Sequence, residues 1–172
     1  MHPTITALVF SACALAGCDP TFNWREVRVE PGGLTAMLPC KPDKGARKVP
    51  MAGREVSLDA LGCNAGDATF AVLTADIGEP ARIGEALDHW KTATLANLHS
   101  ADAQESPFRP PGALGVRQSV QVAASGQRAD GAKVESRAVY FARGSRVFQA
   151  VIYANQIKPE IAETFFSGLR FG

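Results

Sequence analysis

The sequence predicts an α+β fold in which a largely antiparallel β-sheet is flanked by helices. From Asn23 onward, short segments of alternating apolar and polar residues are separated by turn residues, which is the pattern of strands and hairpins. Two segments are apolar on both faces and predict central, covered strands, and two others have the apolar spacing of helices. With 172 residues, 46% of them hydrophobic, the chain suits one domain with a substantial core.

Residues 1–17 are predicted to be a signal peptide rather than part of the fold. Residues 5–16, ITALVFSACALA, carry no charge, and the run is shorter than the roughly 20 residues of a membrane-spanning helix. The pattern ACA at residues 12–14 fits an ordinary secretory cleavage site. No Lys or Arg precedes the apolar run, although a basic segment is usual there.

A second cleavage motif follows directly. Leu15-Ala16-Gly17-Cys18 resembles the lipobox of bacterial lipoproteins, in which cleavage falls just before the cysteine and its sulfur takes a diacylglycerol. The resemblance implies that Cys18 carries the lipid, that residues 18–23 form a short tether, and that the protein is anchored to the cell envelope and faces the periplasm. The adjacent Asp19 resembles an inner-membrane retention signal of some enteric bacteria. Because that rule varies between bacteria, the choice between inner and outer membrane stays open.

The remaining cysteines predict a disulfide. Cys13 would leave with the signal peptide and Cys18 would carry lipid, so the domain keeps Cys40 and Cys63, and a matched pair in an exported chain is typical of a disulfide. The bond would close a loop of roughly 24 residues and stabilise the fold by about 3 kcal/mol on the chain-entropy model. A metal site or a redox pair is the alternative, but the chain has neither two close-spaced ligand pairs nor a Cys-x-x-Cys motif.

The first part of the domain is predicted to contain two hairpins and a central strand. Segments 24–29 and 34–38 alternate on either side of the turn PGG. After a basic loop, PCKPDKGA, the chain predicts a second hairpin about Ala52 and Gly53. Residues 68–77, ATFAVLTADI, are apolar on both faces and are expected to lie centrally in the sheet.

A helix and a long loop follow. Pro80 is expected to open the longest helix, because proline is favoured at the first helical position. Residues 100–115, SADAQESPFRPPGALG, have no apolar period and are interpreted as a loop. A loop of this length in a compact domain is uncommon and often functional. Phe108 and Arg109 are therefore a candidate contact site, with a solvated connection as the alternative.

Three further strands are predicted after the loop, and the last of them, residues 146–154, is apolar on both faces. A tight turn about Arg143 and Gly144 is expected before it. Arg137, Arg143 and Arg146 are predicted to cluster around this hairpin. Because the planar guanidinium suits carboxylates, phosphates and protein interfaces, they are further candidate contact residues, with a solvated strand face as the alternative.

The order of elements resembles the PsbP/Mog1-like α/β/α sandwich. The features that carry the resemblance are GGLTAMLPCKP at residues 32–42, the hairpins on either side of the Pro80 helix, and AETFFSGLRF at residues 162–171, within a final helix expected from Pro159. It spans nearly all of the predicted single domain, residues 24–172. Proteins that resemble this fold act mostly as binding or assembly factors, and no shared catalytic residue comes with it, so the resemblance implies a non-catalytic role.

The sequence carries no recognisable catalytic or cofactor motif. A Gly-x-Ser-x-Gly elbow and a phosphate-binding glycine loop are both absent, and the balance of 18 basic and 17 acidic residues argues against nucleic-acid binding. We therefore expect no cofactor, no metal and a binding module for another envelope protein. A carrier with a pocket between sheet and helix for a small ligand is the second hypothesis. A hydrolase, which requires Ser or Asp hydrogen-bonded to His89 or His99, is the third.

Overall fold

The structure is a computed structural model that describes residues 21–172. Within that range it contains two α-helices, α1 (Ile83–Asn97) and α2 (Pro159–Ser167). The strands are β1 (Arg25–Val29), β2 (Leu34–Leu38), β3 (Asp43–Met51), β4 (Arg54–Ala65), β5 (Ala68–Asp76), β6 (Ala103–Pro107), β7 (Val120–Gln127), β8 (Lys133–Arg143), β9 (Arg146–Ala154) and β10 (Arg170–Phe171). The predicted signal peptide, the lipobox and Cys18 lie outside the described residues. Within these residues, neither helix combines the length and the apolar character that crossing a membrane requires.

Seven strands form the main sheet, in the order β3-β4-β5-β9-β8-β7-β6, and every neighbouring pair is antiparallel. This confirms the predicted α+β class with a largely antiparallel sheet. The two strands that are apolar on both faces, β5 and β9, pair with each other near the middle of the sheet. Their position explains their composition, because side chains alternate between the two faces and both faces of a central strand are covered.

The first hairpin does not join the main sheet. Strands β1 and β2 form a separate three-stranded sheet with β10, in which Phe171 pairs with Leu34. The sequence predicts a single sheet that contains all the strands, and the structure corrects this to two sheets. The two residues of β10 are too few to show a period in sequence, so only the folded chain reveals the pairing.

Each face of the main sheet has its own core. On one face, α2 and the small sheet cover a cluster of aromatic rings, in which Phe70 meets Phe165 edge-on at 5.5 Å and Phe141 stacks on Phe148 at 5.4 Å. On the other face, α1 buries its apolar stripe of Ile83, Ala86, Leu87 and Trp90. The helices therefore lie on opposite sides of the sheet, which covers the central strands on both faces.

Cys40 and Cys63 form a disulfide, which confirms the predicted pairing. Cys40 follows β2 of the small sheet, and Cys63 lies in β4 of the main sheet. The bond thus joins the two sheets covalently, over a sequence separation of 23 residues.

Three local predictions are corrected by the structure. Residues 100–115 are not a loop throughout, because β6 forms the edge of the main sheet; all five of its residues are exposed, so none shows an apolar period. The basic loop PCKPDKGA is shorter than predicted, since β3 begins at Asp43. The last hairpin turns at Gly144 and Ser145, because Arg143 already pairs with Arg146.

Candidate functional site

A groove lies between α1 and the main sheet, with a cavity volume of about 470 Å³. We call it the α1 groove. Strands β4, β5 and β9 contribute Leu58, Ala71, Leu73 and Val151 to its floor. One side of α1 contributes Trp90 and Ala93 to its wall. The helix packs on β8 and β9 but leaves Ala71 and Leu73 of β5 half-buried, so the groove stays open along one side.

The middle of α1 is held above the sheet by a buried polar network. Trp90 meets Tyr140 edge-on, with ring centroids 6.4 Å apart. Gln149, which is 3% exposed, donates from Nε2 to the Tyr140 hydroxyl at 2.9 Å and to Thr94 Oγ1 at 3.1 Å. Buried polar groups must be paired to avoid a desolvation penalty, so this network sets the position of α1 and with it the width of the groove.

Both ends of this part of α1 are also tied down. At one end, the Ala52 backbone N–H donates to His89 Nδ1 at 3.3 Å. At the other end, the Gln127 N–H donates to the Leu98 carbonyl at 2.8 Å, and Gly126 lies directly against that carbonyl. The groove is therefore preformed by contacts that reach three strands, β7, β8 and β9, and the turn at Ala52, rather than by the helix alone.

The polar groups along the α1 groove are one guanidinium and several side chains that can form hydrogen bonds. Its lining includes Arg47, His89, Asn97 and Tyr153 but no Asp or Glu. Because His89 Nδ1 accepts a hydrogen bond, the neutral ring carries its proton on Nε2. Burial raises the pKa of Tyr153 to about 12, so its hydroxyl keeps its proton at neutral pH. A mainly apolar cavity with a few polar groups is the usual form of a small-molecule site.

Phe108 and Arg137, two of the sequence candidates, are brought together on the opposite face of the sheet. Both line a shallow cavity of about 300 Å³ beside α2, and Phe108 meets Phe166 edge-on at 6.2 Å. Arg109 follows Phe108 and is exposed. Within residues 21–172, neither Arg109 nor Arg137 forms an ion pair. We call Phe108, Arg109 and Arg137 the α2-side surface.

The predicted arginine cluster is divided by the structure. About 20 Å of strand separates Arg137 from Arg143, at about 3.3 Å per residue. Arg143 lies over the Phe171 ring, 4.9 Å from its centroid, and donates to the Gly172 carbonyl. Arg146 is mostly buried, donates to Thr74 Oγ1 at 3.3 Å and lies 3.9 Å from an Asp76 oxygen. Arg143 and Arg146, at the end of the hairpin, thus contact the protein's own residues.

Neither histidine shows the geometry that the hydrolase hypothesis requires. Within the described part of the chain, no Ser or Asp side chain is hydrogen-bonded to His89 or His99; the partner of His89 is the Ala52 backbone. No group of three or more His, Cys, Asp or Glu side chains comes together there in a way that could hold a metal ion.

The sequence offers a pocket between sheet and helix as the second hypothesis but identifies none of its residues, because they look like ordinary core. Trp90 lies at the helical spacing that is typical of a core residue, and it is 8% exposed. The available signal was weak: Tyr153 and Gln149 interrupt an otherwise apolar strand with polar groups. Only the position of α1 shows that these side chains reach the same cavity.

Comparison with known proteins leaves the chain without an assigned family: no family model matches it, and no curated protein matches it significantly in sequence.

Proposed function

We propose that this protein is a non-catalytic binding module of the bacterial cell envelope that holds a small apolar ligand in the α1 groove. The observation that carries the proposal is the groove itself, a preformed cavity of about 470 Å³ with an apolar floor. A fully packed interface between α1 and the sheet would have ruled this function out. Two helices on opposite faces of an antiparallel sheet also support the PsbP/Mog1-like assignment of the domain.

Binding of the neutral apolar dye Nile red tests the function, because the fluorescence of the dye rises in an apolar site. The protein is the full chain carrying Cys18→Ala, which removes the expected lipid. Ala93→Phe places a ring in the groove and is expected to reduce dye binding at least tenfold. Ala96→Phe, on the exposed side of the same helix, carries the same change in helix propensity and is expected to bind like the parent. Equal binding by the two variants would refute a site in the groove.

The envelope location is part of the proposal and rests on the lipobox resemblance. We propose that Cys18 carries lipid and that residues 18–23 tether the domain to a membrane. Intact mass of the membrane-extracted protein is expected to show the added lipid, and Cys18→Ala is expected to abolish both the lipid mass and membrane retention. A membrane-bound protein without added mass would refute the anchor and leave the groove proposal standing.

A second candidate function is contact with another envelope protein through the α2-side surface. It is favoured by one observation: Phe108 is half-buried between α2 and β7 in a cavity that Arg137 also lines, and Arg137 forms no ion pair within the described chain, although Glu163 borders the same cavity. Such an arrangement fits an acidic patch that presents an apolar side chain. A photo-crosslinker at Phe108 in intact cells is expected to give one specific product that Arg137→Glu abolishes. A crosslinker at Ala129, in an exposed turn, is the matched control.

A further inference from the structure

The charge at the α1 groove points to the kind of ligand it takes. Arg47 is the one arginine or lysine among the residues described as lining the groove. It lies on β3, on the same face as Leu58, with which it pairs. Within residues 21–172, Arg47 forms no ion pair, and no carboxylate lines the groove. A ligand with one negative charge would therefore gain a partner there and meet no repulsion.

The rest of the cavity suits a hydrocarbon chain. Leu73 and Val151 form an apolar floor, and Trp90 covers it from the helix side. Burial of apolar surface stabilises a complex by about 25 cal/mol per Å² of surface removed from water, before the costs of association. The volume of about 470 Å³ is in the lower part of the usual range for small-molecule sites, which favours one chain over two.

We propose that the α1 groove binds a single-chain amphiphile with one carboxylate, a fatty acid, with the carboxylate beside Arg47 and the chain along Leu73 and Val151 against Trp90. The proposal rests on the proposed ligand-binding function and adds the chemical class of the ligand. A carboxylate suits the site because a planar guanidinium donates two parallel hydrogen bonds to it. A single cation also matches a head group of a single charge.

Tryptophan quenching locates the chain. The protein has two tryptophans, on opposite faces of the sheet: Trp90 beside the groove and Trp24, which packs against Phe70. In the Cys18→Ala chain, Trp24→Phe leaves Trp90 as the reporter, and Trp90→Phe, whose binding of Nile red is verified first because Trp90 lines the groove, leaves Trp24. Brominated stearic acid, which quenches on contact, is added below its micelle concentration at mildly alkaline pH. Saturable quenching is expected with Trp90 as the reporter and little quenching with Trp24.

Charge variants test the carboxylate. Arg47→Gln is expected to weaken binding of the brominated acid about twofold to fivefold, the range for an exposed ion pair, and to leave binding of the brominated stearyl alcohol unchanged. Lys44→Gln is the matched control, because it removes the same charge from the same strand on the opposite face. It is expected to bind both compounds like the parent. Stearyl phosphate is expected to bind no better than the acid, since the groove supplies one cation.

The outcomes separate the two proposals. If the alcohol and the acid bind equally and Arg47→Gln behaves like Lys44→Gln, the carboxylate is refuted, while a groove that binds apolar ligands remains supported. If stearyl phosphate binds clearly tighter than the acid, the assignment of a carboxylate is likewise overturned. If Trp24 is quenched as strongly as Trp90, or if Ala93→Phe changes neither acid nor Nile red binding, the proposed function itself is refuted.

Discussion

Replacing Gly126 with alanine is expected to detach the C-terminal end of α1 from the sheet. A Cβ at this position would lie 2.1 Å from the Leu98 carbonyl oxygen and 3.0 Å from the Leu98 Cβ. The first distance is far below van der Waals contact, and its partner is a backbone atom. The clash therefore cannot be relieved by a side-chain rotation, and α1 and β7 must move apart.

The expected loss of stability follows from the contacts that this movement breaks. The hydrogen bond from the Gln127 N–H to the Leu98 carbonyl, 2.8 Å long, is lost at a cost of about 1 kcal/mol. Leu98 is 8% exposed, and partial loss of its burial costs about 1 to 3 kcal/mol more. We expect Gly126→Ala to lower the free energy of unfolding by about 2 to 4 kcal/mol. It should also weaken Nile red binding, because Leu98 and Asn97 line the groove.

Urea denaturation followed by circular dichroism measures the effect. Gly45→Ala is the matched control: it is the same substitution, in β3, where a Cβ would meet no atom within 4 Å. The control is expected to be as stable as the parent or more stable by about 0.4 to 1 kcal/mol, because alanine restricts the unfolded chain. Equal stability of the two variants would refute the close approach of Leu98 to Gly126 and the account of how the helix end is held.

Three further outcomes are expected. Replacing both Cys40 and Cys63 with serine should lower the free energy of unfolding by about 3 kcal/mol, and chemical reduction of the parent should reproduce that loss. Burial raises the pKa of both tyrosines, that of Tyr153 to about 12, so ultraviolet titration should show less phenolate at pH 10 in the folded protein than in the unfolded protein. The stability that depends on keeping both hydroxyls protonated is present below pH 10 and declines as the pH rises above it. The hydrogen bond from Ser145 lowers the pKa of Asp76, so its contribution is present above the ordinary carboxyl pKa and is lost in stronger acid; Asp76→Asn should flatten the acid limb of the stability curve, and an unchanged limb would contradict this.

The predictions that succeeded depend on residues whose side-chain direction is set by local geometry. Alternation in β7 and β8 follows from the two-residue repeat of a strand, so the face of each residue could be read without knowing its partner. Pro80 marks the start of a helical turn, Pro80–Arg82, that runs into α1, and Pro159 opens α2, because a fixed φ and a missing N–H suit the first helical turn.

The elements that were missed have no such local signal. Strand β6 is exposed along its whole length, and β10 contributes two residues, so neither shows a period. Each is a strand because a neighbour supplies its hydrogen bonds: β7 for the first and β2 for the second. The loop between β6 and β7, residues 108–119, is therefore shorter than the predicted loop of residues 100–115.

By itself, the sequence determined the α+β class, the two helices and the pairing of Cys40 with Cys63, because periodicity, proline positions and cysteine number are local or countable properties. Only the tertiary structure decided which buried side chains border a cavity. Trp90 and Tyr153 are distant in sequence and meet at one groove because Trp90 rests on Tyr140 and the Gln149 network holds α1 over β9. That arrangement depends on packing between distant elements, for which a single sequence carries no local pattern.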